Sequence, residues 1–156
     1  MTIKLEQIYA QKETFLDLSA KNTSIERAEA LFINSIHSYT QTLKLDHLDL
    51  SIESINFGGM LSKKSQVLLI QAKRTKIKKH RAFFLVSHNG YAFIPRMYKL
   101  MATPYFEAFR EKPAAQRIDF IKAGFDSLQD QQEFSFFDTL LDKLYEHGLS
   151  ALKPAS

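Results

Sequence analysis

The sequence predicts an α+β domain: N-terminal helices, a central antiparallel meander of three to four strands, and C-terminal helices packed on that sheet. Three observations carry this expectation. Apolar residues recur at helical spacing in the first and last thirds of the chain, whereas in the middle third they alternate or run unbroken, as strands do. Asn89-Gly90 stands between two of the apolar runs. Asn-Gly favours a two-residue hairpin turn because both positions tolerate positive φ.

Taken in order, residues 3 to 18 place Leu5, Ile8, Tyr9, Phe15 and Leu16 at helical spacing, which predicts a first helix. A second spans Ser24 to Leu43, with Ile25, Ala28, Leu31, Phe32, Ile36, Tyr39 and Leu43 on one face. Thr23 with Glu26 has the spacing of a capping box, whose side chains satisfy backbone donors at a helix start. After Leu45 the period becomes two: Leu48, Leu50 and Ile52 alternate with Asp49, Ser51 and Glu53, the pattern of a half-wet strand. Ile55 and Phe57 fall on the other parity, so a bulge near Ser54 is expected, and Gly58-Gly59 ends the run. Gln66 to Ala72 and Ala82 to Ser87 are apolar at nearly every position, which suits interior strands covered on both faces.

Helical spacing then returns. Thr103-Pro104 and Lys112-Pro113 read as helix starts, because proline in the first turn gives up an N–H that had no partner. Ile118, Ile121, Phe125 and Leu128 form one stripe; Phe136, Phe137, Leu140, Leu141 and Leu144 form another, with Ser135 as its cap and Gly148 as its end. Gly124, inside a stripe, either ends a helix or admits a close neighbour.

With 156 residues, 45% of them hydrophobic, the chain has material for one core. A chain of this size buries roughly 68–70% of its unfolded surface. Residues 1–150 read as a single domain and 151–156 as a frayed tail. The absence of cysteine excludes disulfides, thiolate zinc sites and cysteine nucleophiles. Charged Lys4 and Glu6 interrupt the N-terminus, unlike a signal peptide. The longest apolar runs fall well short of the roughly 18 residues a membrane span needs, so the reading is a soluble, cytoplasmic protein without a membrane span.

Charge is the main functional signal. Between Glu53 and Glu107 lie 53 consecutive positions with no acidic residue and ten basic ones: Lys63, Lys64, Lys73, Arg74, Lys76, Lys78, Lys79, Arg81, Arg96 and Lys99. The net charge of +4 conceals a middle third at +10 between flanks at −3 each. Such a field favours anionic partners. Seven of the nine residues from Lys73 to Arg81 are basic, counting His80, and they connect the two most apolar strands. A hairpin with so basic a turn offers phosphate contacts, bidentate from Arg and point-like from Lys, with Ile77 near its tip. The ten residues are therefore candidate nucleic-acid contacts. The plain alternative is a solvated turn whose charges deter edge-to-edge aggregation, or a patch neutralised by the acidic helices. Phe83, Phe84, Tyr91, Phe93, Tyr98, Tyr105, Phe106 and Phe109 interleave with basic residues as base-stacking platforms do, although Phe is more often core and Tyr its rim.

Val67 to Ile70 running into Gln71-Ala72-Lys73 resembles the Q-x-K variant of the restriction-endonuclease-like nuclease motif, in which that pair and an upstream carboxylate hold a divalent metal. The family's Asp is missing from Gly58-Gly59-Met60-Leu61, and the segment Arg74 to His80 is too short for the family's crossover helix, which needs a dozen or more residues. His37, His47, His80, His88 and His147 show no i,i+4 pair, with His88 a turn residue and the other four expected at the surface. The five glycines form no phosphate-binding loop. No catalytic residue, metal or cofactor is assigned. The expected function is non-enzymatic nucleic-acid binding through the basic turn. The rival is a protein-interaction module, such as an adaptor, inhibitor or chaperone-like partner, that uses apolar helix faces and turns its basic patch to an acidic protein. Phe134, Phe136 and Phe137 give that rival a surface, including a homodimer contact.

Overall fold

A computed structural model of the chain describes residues 8–17, 24–45, 48–55, 65–72, 80–88, 92–101, 114–125 and 127–153. Within them the order is β1 (Ile8–Glu13), α1 (Ile25–Thr42), β2 (Leu48–Ile55), β3 (Ser65–Ala72), β4 (Arg81–His88), β5 (Phe93–Leu100), α2 (Ala114–Ala123) and α3 (Leu128–Leu152). The arrangement is α+β, with one antiparallel five-stranded sheet in the order β1-β5-β4-β3-β2. The four strands β2 to β5 form the meander, a fifth strand joins the sheet beside β5, and among the described residues there is one N-terminal helix fewer than expected.

The extra strand is β1, where helical spacing pointed to a helix. Its spacing Ile8, Tyr9, Phe15, Leu16 serves both readings, and pairing with β5 decides between them. The ladder slips between Ile8 and Ala10, leaving Tyr9 as the extra residue. The slip puts Tyr9, Ala10 and Lys12 on the helix-covered face, while Ile8 joins Leu100 in the cluster on the far face. Past Glu13 the pairing persists, since Leu16 and Phe93 exchange backbone bonds of 2.9 Å in both directions.

Strands β3 and β4 are interior, as their unbroken apolar runs predict: Val67 to Ile70 and Ala82 to Val86 are all buried. Leu68, Ile70, Ala82, Phe84 and Val86 face the helices, and Val67, Leu69, Phe83 and Leu85 form a second cluster behind them. The β2–β3 register runs without interruption from Leu48↔Ala72 to Ile55↔Ser65, so the bulge expected near Ser54 does not occur. Asn89-Gly90 lies outside the described residues. The β4–β5 register pairs His88 with Phe93, four residues apart in the connection, rather than with Tyr91 as a two-residue Asn-Gly turn requires.

Helix α1 begins at Ser24, whose Oγ accepts the Arg27 amide at 3.2 Å, one residue past the cap expected at Thr23. It buries Ala28, Phe32, Ile33 and Ile36 against the sheet and α3. Lys112-Pro113 immediately precedes α2, though it and Thr103-Pro104 lie outside the described residues. Helix α2 stops at Ala123, and the Gly124 amide turns back to the Ile121 carbonyl at 3.1 Å, so Gly124 is a helix end. Helix α3 starts about two turns before Ser135: Ser127 is its cap, its Oγ accepting the Asp130 amide at 3.1 Å. It also runs past Gly148, and both Leu149 and Leu152 are buried.

Gly148 has a packing role instead. A Cβ there would lie 2.6 Å from Phe32 Cε2 and 2.8 Å from Ile36 Cδ1, so the missing side chain is what lets α1 and α3 approach. Phe32 is itself fully buried, edge-on to Tyr145 with ring centres 6.0 Å apart. Gly148→Ala is expected to destabilise the fold by about 1–3 kcal/mol through overpacking. Urea denaturation of the variant checks this, and Phe32→Leu in the same chain should return part of the loss.

Candidate functional site

Strands β3 and β4 meet in a hairpin whose last pairs are Ile70↔Ala82 and Gln71↔Arg81, closed by the Ala72 amide on the His80 carbonyl at 3.3 Å. The seven residues 73–79 connect them, which makes this an antiparallel hairpin and not the parallel crossover of a restriction-endonuclease-like nuclease. Lys73, Arg74, Lys76, Lys78 and Lys79 fall in that connection. These five, together with Lys63 and Lys64, lie outside the described residues.

The other three candidates are described, and the structure separates them. Arg81 opens β4 on the far face, half-buried, and burial lowers its pKa from the usual guanidinium value. Arg96 binds Glu13 across the β1–β5 pair at 2.8 Å and donates through Nε to Ser87 Oγ at 2.9 Å. Its charge is therefore already matched. Lys99 departs most from expectation: it is 3% exposed on the helix face, with Nζ 2.8 Å from Asp138 Oδ1 and 2.7 Å from Asp142 Oδ1. A phosphate does not reach it in this fold, so Lys99 leaves the set of phosphate contacts. Among the aromatic candidates, Phe83, Phe84 and Phe93 are core, whereas Tyr98 is half-buried and accepts a 3.3 Å bond from Arg96. Tyr91, Tyr105, Phe106 and Phe109 lie outside the described residues.

His80 is the second correction, because it is 1% exposed rather than at the surface. Its parity with Ala82, Phe84 and Val86 turns it to the helix face. There its ring stacks on Phe134 at 4.8 Å and meets Phe137 edge-on at 4.6 Å. Its Nε2 lies 2.6 Å from the Tyr9 hydroxyl, which is 2.9 Å from Asp138 Oδ1.

The order of protons along this chain follows from counting donors. Asp138 also accepts from Lys99, so it is a carboxylate, and the single Tyr9 hydroxyl proton points to it. The Tyr9 oxygen must then accept from His80, which places the ring proton on Nε2. The result is a directed chain: His80 Nε2–H to Tyr9, Tyr9 O–H to Asp138, and Lys99 shared by Asp138 and Asp142. Lys12 of β1 reaches Asp142 at 3.3 Å and carries the chain to the surface. Two lysines balance two aspartates, so a neutral His80 leaves the cluster without net charge. Burial and the neighbouring Lys99 together push His80 down to about 3. Burial first, then the Asp138 charge, raises Tyr9 well above the ordinary phenol. With Phe134 and Phe137 closed on the imidazole, the chain holds elements together: β1, the start of β4, β5 and α3 each contribute a member.

No protein-family model matches the sequence, and no curated protein matches it. Among solved structures, TTHA0849 from Thermus thermophilus is 14% identical over 92% of this chain and 99% of that one, with a TM-score of 0.30. The di-domain ARO/CYC StfQ from the steffimycin biosynthetic pathway is 10% identical over 94% of this chain, with a TM-score of 0.32, and this chain spans about half of its length (50%).

No group of His, Asp and Glu that could hold a metal occurs among the described residues. No described helix is long and apolar enough to cross a membrane. Beside α2 and α3, exposed Leu128 and Phe136 flank an open groove of about 510 Å³ that Lys122, Gln131, Gln132, Ser135 and Thr139 also line. Phe134 and Phe137, in contrast, are core.

Proposed function

We propose that the chain is a non-enzymatic nucleic-acid-binding protein that contacts phosphates through the connection between β3 and β4. The observation behind this reading is the closing register at Ala72 and His80, which leaves a seven-residue connection with five Lys or Arg and no acid between two interior strands. Lys73, Arg74, Lys76, Lys78 and Lys79 are the contacts, with Lys63, Lys64 and Arg81 supporting them. Phosphate contacts of this kind give affinity with little base reading. If about five phosphates are engaged, log K falls with log salt at a slope near −4.5 on duplex. Charge reversal at Lys76, Lys78 and Lys79 is expected to abolish retention on DNA and RNA while the circular dichroism spectrum stays the same. Undiminished binding by that variant would remove the assignment.

One observation favours a second reading, the protein-interaction module. Leu128 is 69% and Phe136 56% exposed beside the groove on α2 and α3, where Lys122 is the one charged residue among the lining side chains. Mass measurement over a range of concentrations tests it for self-association. Co-purification with and without nuclease separates the two readings, because only a nucleic-acid-bridged partner is lost on digestion.

A further inference from the structure

His80 is the first described residue after the basic connection, and its backbone and side chain make different attachments. Its carbonyl accepts the Ala72 amide and so closes the β3–β4 hairpin. Its imidazole enters the core and binds Tyr9 of the edge strand β1, beyond β5, through which it reaches Asp138 of α3. Hairpin closure and the buried polar chain therefore share one residue.

We propose that the His80–Tyr9–Asp138–Lys99 chain is a proton-sensitive clasp that closes the base of the β3–β4 hairpin and fixes how the basic connection is presented. The second half of that statement rests on the phosphate-binding reading; the first does not. Groups from β1, β5 and α3 bear on the imidazole. Tyr9 of β1 takes its proton donor, Lys99 of β5 opposes a second positive charge, and Phe134 and Phe137 of α3 exclude water from its faces. Asp138 and Asp142 of α3 are already matched by Lys99 and Lys12. A proton added in acid goes to Nδ1, since Nε2 already carries one, and it leaves the cluster with an uncompensated positive charge. The clasp relieves this by opening, which lets the ring reach water.

Opening exposes His80 to a medium where its ordinary value of 6.5 applies, against about 3 when closed. From these two values the open population rises about tenfold at pH 5.5 and about a hundredfold at pH 4.5, relative to pH 7.5. The readout is amide hydrogen exchange at Ala72, corrected for the intrinsic rate at each pH, with Leu68 and Phe84 deeper in the same strands as controls. Protection at Ala72 is expected to fall by those factors while Leu68 and Phe84 hold. His80→Gln keeps an N–H donor for Tyr9 and is expected to flatten the dependence; Tyr9→Phe is expected to lower Ala72 protection already at pH 7.5. A His80→Gln chain that retains the acid loss, an acid loss shared equally by Leu68 and Phe84, or full protection in Tyr9→Phe each overturns the clasp. For the coupling, a fluorescent 20-base-pair duplex titrated at pH 7.5 and fixed salt is expected to bind Tyr9→Phe about tenfold more weakly if only a tenth of the variant is clasped. Equal affinity with Ala72 deprotected overturns the coupling alone. Failure of the wild type to bind duplex removes the phosphate reading and leaves the clasp to the exchange data.

Discussion

Replacing Lys99 by Met is expected to destabilise the chain by about 3–5 kcal/mol, the usual cost of removing one partner from a buried charge cluster. Methionine approximates the volume of the lysine stem, so the loss reports charge and not a cavity. Asp138 and Asp142 would face each other one helical turn apart with Lys12 as their remaining counter-charge, and the Tyr9 hydroxyl would be left donating to a carboxylate without its counter-ion. Urea denaturation at pH 7.5 measures the effect. Adding Asp138→Asn and Asp142→Asn to Lys99→Met is expected to recover most of it, because the triple variant has no buried charge left unpaired and the remaining Lys12 is 41% exposed to water. A loss under about 1 kcal/mol in the single variant would mean that the cluster is solvated, contrary to the 3% exposure of Lys99.

The second large effect concerns pH. Above about pH 6.5 His80 is neutral whether the chain is folded or not, and its titration contributes nothing to the pH dependence. Below that, the unfolded chain takes up a proton that the folded chain refuses, so the folded state loses ground as pH falls, down to about 3. Between pH 7.5 and 4.5 the loss from this one residue amounts to about 2–3 kcal/mol. Urea denaturation of wild type and His80→Gln across that range isolates it, since the remaining groups titrate in both chains. A difference that grows steadily to pH 4.5 indicates that the proton enters only on global unfolding. One that levels off marks the pH at which the clasp opens inside a folded chain.

Which parts of the fold were legible depended on whether the deciding contact was local. Helix α1 was, because its 3.6-residue period is continuous from Ile25 to Leu43, and so were β3 and β4, because a strand apolar at every position must be covered on both faces. Strand β1 was not. Ile8, Tyr9, Phe15 and Leu16 satisfy a helical period equally well, and the strand exists through its ladder to β5, a partner no local window contains. Gly148 misleads for a related reason: a glycine late in an apolar stripe reads as a helix stop, while its neighbour here is Phe32 on another helix. Ser127 and Ser135 both precede apolar residues, and only the backbone geometry selects Ser127.

The candidate site was half legible. The basic connection was plain from charge and from the two strands that flank it. The polar chain beneath it was missed although it left a signal, namely polar residues on apolar parities. Lys99 continues the inward row of Phe93, Pro95 and Met97, and His80 continues that of Ala82, Phe84 and Val86. A basic residue at such a position is either buried and paired or the strand has ended. Counted as part of an acid-free stretch, both read as surface charge.

The strand order also bears on how the chain is made. Strands β2 to β5 are neighbours in space as they are in sequence, so they can pair hairpin by hairpin as they leave the ribosome. Of the five strands, β1 leaves first and docks last, since its partner in the sheet is β5. Tyr9 therefore waits for Lys99, and both wait for Asp138 and Asp142 of α3. The polar chain joins β1 to α3, so a nascent chain that stops short of α3 lacks its balancing charges. The core cannot close around Lys99 until α3 has been made, and a chain released before it carries an unpaired lysine where apolar residues must pack.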